Sequence, residues 1–174
     1  MQLFFFIKDI KRSLGKHKLR ILFIWMTRSF VGIMLYRFER GLFLVFGKYY
    51  AIIRLLFLPI ILIFQAYSNI EIHYKANIKG GILVLHPSVG CVVSGQATIG
   101  ANLTLTGGNI IGVGKNKAIH FILGDNITLG ANATIIGPLE FKNNIFIGAG
   151  ACVTKSFESS NINLVGLPAK EILT

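Results

Sequence analysis

His86 lies in the stretch "IKGGILVLHPSVGCVV", residues 78–93, an ionisable ring among aliphatic side chains and glycines with a proline directly after it. A histidine so placed can act as a general base if a carboxylate fixes its tautomer and stabilises the imidazolium it becomes. Acids are scarce. Beyond residue 70 they are Glu71, Asp125, Glu140, Glu158 and Glu171, and Glu71 precedes His86 by 15 residues. The other histidines are His17 in a basic segment, His73, read as a packing residue, and His120, in a stretch with glycines and lysines. Nucleophilic catalysis has little support. There is no GxSxG elbow, and Cys91 and Cys152 lie in aliphatic repeats as reduced core residues without CxxC spacing. The chemistry on offer is removal of a proton by His86 with Glu71 behind it.

A repeat must position these groups. Aliphatic residues recur every six positions at Ile72, Ile78 and Val84. They recur again at Val93, Ile99, Leu105 and Ile111, and from Leu123 through Leu129, Ile135, Phe141 and Ile147 to Val153. A period of six fits neither a helix nor a hairpin. It matches the hexapeptide parallel β-helix, in which each hexad supplies a short strand and a corner. Glycine and asparagine suit the corners. The register slips by three around His86. A coil of three hexads would bring Glu71 close to His86 one turn later. A second break follows Ile111, where "GVGKNKAIHFI" reads as a loop extruded near residues 112–121, carrying Lys115, Lys117 and His120. Loops on rigid scaffolds are where function concentrates. Residues 71–174 are thus expected to form a mainly β, solenoidal domain.

Residues 1–70 differ. They hold 11 Lys/Arg against two acids, net +9, whereas residues 71–174 hold seven against five, net +2. The segment reads as α-helical and apolar. The run "LLFLPIILIF" spans ten residues, short of the roughly 20 a bilayer core needs, so helices lying on a membrane or packed in an oligomer are expected. Cations interleaved with Phe, Ile and Leu favour an anionic membrane surface over nucleic acid. The opening "MQLFFFIKDIKR" lacks the order of a signal peptide, and a cytoplasmic protein, peripheral at the inner face of the membrane, is expected. An apolar content of 53% excludes a disordered chain.

Residues 71–90, "EIHYKANIKGGILVLHPSVG", resemble the active-site segment of bacterial serine O-acetyltransferases, members of the hexapeptide-repeat acyltransferases. The likeness runs collinearly from about Ile21 to Ile172, through "IIGVGKNKAIHFILGDNITLGANATI", "IFIGAGACVTKS" and "GLPAK". It implies a left-handed parallel β-helix, assembled as a trimer or a dimer of trimers, with acetyl-CoA along the coils as co-substrate, active sites between subunits and no metal. By position, His86 resembles the catalytic base and Glu71 its acidic partner, usually an aspartate. His120 resembles a second active-site histidine contributed across the interface. Gly130, Ala131, Gly148 and Ala149 match positions lining the CoA groove. Gly112 and Gly114 match the start of the extruded loop, and Lys170 a basic position near the CoA end.

Two departures bear on the acceptor. The serine enzymes carry an aspartate before the catalytic histidine and an arginine before the second one; here these are Leu85 and Ile119. Each lost charge-assisted contact is worth about 1.5–3 kcal/mol, so serine would be recognised roughly 10²- to 10⁴-fold less well. The expected function is therefore acetyl transfer to a saccharide hydroxyl of capsule, exopolysaccharide or O-antigen type, with a lipid-linked saccharide accounting for the oily N-terminus. The alternative is a serine O-acetyltransferase of cysteine biosynthesis. Two further readings are a γ-type carbonic anhydrase using His73, His86 and His120 on zinc, and a non-catalytic scaffold.

Overall fold

Three helices come first in the computed structural model, which describes residues 1–114 and 121–172. They are α1 (Gln2–Leu14), α2 (Arg28–Phe46) and α3 (Tyr50–Ser68), separated by 3-10 turns at Lys18–Leu22, Ile24–Met26 and Gly47–Tyr49. Thr27 starts α2, its hydroxyl accepting from Phe30 N at 3.3 Å. Asn69, in the left-handed conformation, ends α3, and the first strand follows at Ile70.

From there the chain winds as a parallel β-solenoid with three faces. The first sheet stacks β1 (Ile70–Ile72), β4 (Cys91–Val93), β7 (Asn109–Val113), β10 (Thr134–Gly137) and β13 (Cys152–Val153). The second stacks β2 (Asn77–Ile78), β5 (Thr98–Ile99), β8 (Phe121–Leu123) and β11 (Leu139–Glu140). The third stacks β3 (Leu83–Val84), β6 (Thr104–Leu105), β9 (Ile127–Leu129), β12 (Ile145–Ile147) and β14 (Ile162–Val165), and ends in antiparallel β15 (Lys170–Ile172). Every repeat position from Ile72 to Val153 points inward, none more than 3% exposed. Ala76, Ala97, Ala133 and Ala151 fill the narrow corners beside them. At another corner Asn102, Asn126, Asn144 and Asn161 all take positive φ, and their side chains bond in a ladder at 2.9, 2.7 and 2.8 Å.

A solenoid leaves its first coil with backbone groups that no neighbouring coil can satisfy, and burying them unpaired is costly. The helices supply the partners. Asp9 accepts from Gly81 N at 2.6 Å and Ile82 N at 2.7 Å. Arg37 pairs with Asp9 at 2.8 Å and donates to Ile78 O and Lys79 O. The Tyr36 hydroxyl donates to Ala76 O and accepts from Ile78 N. Arg40 donates to Lys75 O, and Ser29 to Val84 O. The helical region is thus the polar plug of the solenoid's open end, seated by Gly32, where a Cβ would strike Ile70 at 2.7 Å.

The coil carrying His86 is longer than the 18-residue reading. Ile72 pairs with Val93, 21 positions on, whereas Val93 pairs with Ile111, 18 on. The three extra residues form the 3-10 turn Pro87–Val89.

Candidate active site

His86 stands directly before that turn, at the corner between the third and first sheets. Its backbone is pinned: His86 N donates to Thr106 O at 2.8 Å, and Gly90 N closes the turn on Pro87 O at 2.9 Å. Gly107 makes the seat. At φ +143° it adopts a conformation that L residues avoid, and a Cβ there would meet His86 O at 2.5 Å and Val89 Cγ2 at 2.6 Å. The residue itself is exposed, so a fixed backbone holds a reachable imidazole.

Glu71 projects from the outer face of β1 and is in register with Val92. The longer coil is the reason: it stacks Val92 over Glu71 and leaves His86 six residues earlier, at the corner. Glu71 lines a cleft of about 290 Å³ with Gln65, Asn69, Val89, Gly90 and Asn109. Val89 and Gly90 finish the turn that His86 begins, so the Glu71 cleft borders the His86 corner, although His86 itself is not among the residues lining it. In the single subunit no hydrogen bond or ion pair joins Glu71 and His86 among the described residues. Asn109 stiffens the floor, accepting from Gly107 N and donating to Gly130 O. Cys91 lines the same cleft, but burial pushes its thiol pKa up, away from the thiolate a nucleophile needs.

On the other side of the His86 turn lies a second cleft, of about 470 Å³, between solenoid and helices. Leu85, Pro87 and Ser88, the residues flanking His86, form its solenoid wall. Arg20, Thr27 and Arg28 form the opposite wall. Leu85 is 49% exposed there. The two arginines escaped the sequence reading, since nothing in the spacing of residues 20 and 28 points to a corner near residue 86.

His73 does not join the site. It stacks on Tyr74 at 4.4 Å, and its Nδ1 accepts from Lys75 N at 3.1 Å. Its pKa is lowered, first by desolvation and then by Lys75 and Arg54. Among the described residues no three His, Cys, Asp or Glu side chains gather in a metal-binding group. His120, with Lys115, Lys117 and Ile119, lies outside the described residues.

The positions matched to the CoA groove run along later coils. Gly130 and Gly148 are buried, and their primary demand is stacking: a Cβ on Gly130 would meet Ala149 N at 2.6 Å, and one on Gly148 would meet Val165 Cγ1 at 2.9 Å. Ala131 and Ala149 carry the surface of these corners, half-buried and exposed respectively. Lys170 is exposed on β15 and pairs in register with Val165, the residue covering Gly148. Gly112 is half-buried in β7, and Gly114 is exposed just beyond it.

Comparison with known proteins fits this geometry. No family model matches the chain. A serine acetyltransferase of Buchnera aphidicola subsp. Schizaphis graminum is 34% identical over 109 residues, 60% of this chain and 40% of its own length. One of Staphylococcus epidermidis is 35% identical over 104 residues, 59% of this chain and 48% of its own. The matched region thus spans less than half of these curated relatives. Among solved structures, Neisseria gonorrhoeae serine acetyltransferase superposes with a TM-score of 0.78 at 24% identity, over 98% of this chain and 67% of that one. The Brucella abortus enzyme in complex with coenzyme A gives 0.76 at 22% identity, over 98% and 67%. These neighbours share the helical cap, the solenoid and its winding. Along nearly the whole chain the fold is the helical region and left-handed β-helix of the serine acetyltransferase structures, and over about 60% of the chain the sequence is similar to serine acetyltransferases.

Proposed function

We propose that this chain transfers an acetyl group from acetyl-CoA to an acceptor hydroxyl, with His86 as general base and Glu71 as its acidic partner. The acceptor oxygen forms a bond to the acetyl carbon as the thioester C–S bond breaks. His86 takes the hydroxyl proton and returns it to the leaving sulfur, giving an acetyl ester and free CoA thiol. The observation that carries the reading is the pinned His86 corner with Glu71 at its flank, in a chain whose relatives are serine acetyltransferases. The test is His86→Ala, assayed by release of CoA thiol. Turnover should fall by about 10²- to 10⁴-fold, the usual worth of a general base, with coenzyme A still bound. Near-normal turnover would remove His86 from the mechanism.

The relatives support serine as the first acceptor to assay. One observation favours a second reading, a saccharide hydroxyl: the cleft beside His86 presents Leu85 and no carboxylate to an amino group. Robust turnover of free serine decides for the first. Turnover of oligosaccharide with serine inert decides for the second.

Assembly and location belong to the same proposal. Glu71, Val92 and Ile110 stand in one register column on the outside of the first sheet, and Val92 and Ile110 are 43% and 45% exposed. Such a stripe suits packing against neighbouring subunits, as in the trimer that the resemblance implies.

The helical region suits the inner face of an anionic membrane. Both of its acids are buried in ion pairs, Asp9 with Arg37 and Glu39 with Arg54, so its surface offers cations and apolar side chains without a solvated carboxylate. A second copy would repel that surface, and an anionic bilayer would attract it. Leu55, Leu56, Ile60, Ile63 and Tyr67 of α3 are exposed, yet the run from Arg28 to Ser68 is folded into two helices. Arg37 and Arg40 tie α2 to the solenoid, which favours α3 lying in the interface over crossing it. Flotation with phosphatidylglycerol vesicles but not phosphatidylcholine vesicles, weakened by Leu56→Glu with Ile63→Glu, is expected. Failure to float, or a drop in oligomer mass in the same variant, would point to another copy as the cover.

A further inference from the structure

The cleft between the helices and the His86 corner holds an electrostatic imbalance. Arg20 and Arg28 both line it, and neither side chain makes a hydrogen bond or ion pair among the described residues. No Asp or Glu is among the residues lining the cleft. The helical region's two carboxylates are held elsewhere, in buried pairs with other arginines. The first turn of α2, beginning at Arg28, faces the same space and adds the positive end of a 19-residue helix. Thr27 and Ser29, also in the lining, direct their hydroxyls to Ile24 O and Val84 O, leaving the guanidinium groups as the cleft's free charge-bearing donors. Both arginines are solvent-exposed, and two cations lining one cleft that holds no carboxylate offer charge-assisted donors to a bound anion.

We propose that Arg20 and Arg28 bind an anionic group of the acceptor, a carboxylate or a phosphate, and that the acceptor is a hydroxylated anion without an ammonium group. This deepens the acetyl-transfer reading and rests on it for the role of the bound molecule. The anion side of the argument comes from the arginines. The exclusion of an ammonium comes from Leu85, 49% exposed on the facing wall where no carboxylate stands. The arginines thus supply from the helical region a positive charge that Ile119 does not. An anion held there leaves the rest of a small acceptor to extend along Leu85 and Pro87 toward His86.

Calorimetry without acetyl-CoA reads the cleft independently of catalysis. Glucuronate and glucose 6-phosphate should each bind at least about 10-fold more tightly than glucose, and glycerate more tightly than serine. The first two arms separate carboxylate from phosphate. Arg20→Gln with Arg28→Gln should weaken anion binding by at least about 10-fold, the lower limit for the loss of one charge-assisted contact. In turnover, the same double variant should raise KM for an anionic acceptor without raising KM for acetyl-CoA. Equal binding of glucose and its two anionic counterparts, or anion binding indifferent to the double variant, overturns the proposal. Serine bound as tightly as glycerate overturns its second half. Selective anion binding that survives in a protein unable to release CoA thiol upholds the cleft and removes the acetyl-transfer reading instead.

Discussion

In the solenoid, coil answers coil: strand backbones pair with strands above and below, and side chains are left free to fill the axis. The helical region works across its boundary instead, sending Asp9, Tyr36, Arg37 and Arg40 into the backbone of the first coil. Exposure follows the same divide. Repeat positions of the solenoid are sealed, whereas α3 leaves Leu55, Leu56, Ile60 and Ile63 each more than half exposed. The two regions therefore use their apolar area differently: the solenoid encloses it in its own core, and the more apolar helical region holds much of it out. The boundary between them is where buried charge is unavoidable and where both clefts beside His86 lie.

The comparison breaks most severely at Asp9. Asp9→Ala leaves Arg37 buried without its carboxylate and strips the partner from Gly81 N and Ile82 N. Unfolding in denaturant should show a loss of about 3–5 kcal/mol. Leu129→Ala tests the solenoid's own route. It lies at 0% exposure in the middle of the third sheet, and a cost of about 2–5 kcal/mol is expected from lost burial and the cavity left behind. Asn126→Ala cuts two rungs of the corner ladder and forces alanine to a φ of 59°, with an expected cost of about 1–2 kcal/mol. Leu56→Ser on α3 should change stability by under about 0.5 kcal/mol while reducing adhesion to apolar surfaces, because nothing in the subunit covers it. If Leu56→Ser destabilises as much as Leu129→Ala, the contrast between the halves fails.

The smallest effect is one of pH. Packing and the nearby Lys75 and Arg54 hold the His73 pKa below its ordinary 6.5, so the folded state prefers the neutral ring. The associated stability is present above the unfolded value and is lost as pH falls through the folded one. Thermal midpoints should decline on acidification below about pH 6.5, and His73→Gln should flatten that part of the profile.

The repeat was legible because a six-residue period imposes one geometry: inward positions must be apolar and identical coils must stack. The same logic reached His86, since three extra residues cannot fit a regular coil without a turn. It misplaced the residue stacked on Glu71, because the insertion that makes the turn also lengthens the coil to 21 residues. Asn126 was visible only as a generic corner residue, and its partners on neighbouring coils were not. Arg20 and Arg28 were legible only as cations interleaved with apolar residues, suited to an anionic membrane surface.

By itself, then, the order of residues determined the solenoid, its inward-facing side chains, the corner bearing His86 and the apolar character of the N-terminal segment, all local or strictly periodic properties. Only the tertiary structure decided that both N-terminal acids are buried, that arginine and tyrosine side chains cap the first coil, and that Arg20 and Arg28 face the His86 corner. Those facts depend on contacts between residues tens of positions apart, where no period links the partners and the free energy of pairing is set by which groups are left without water.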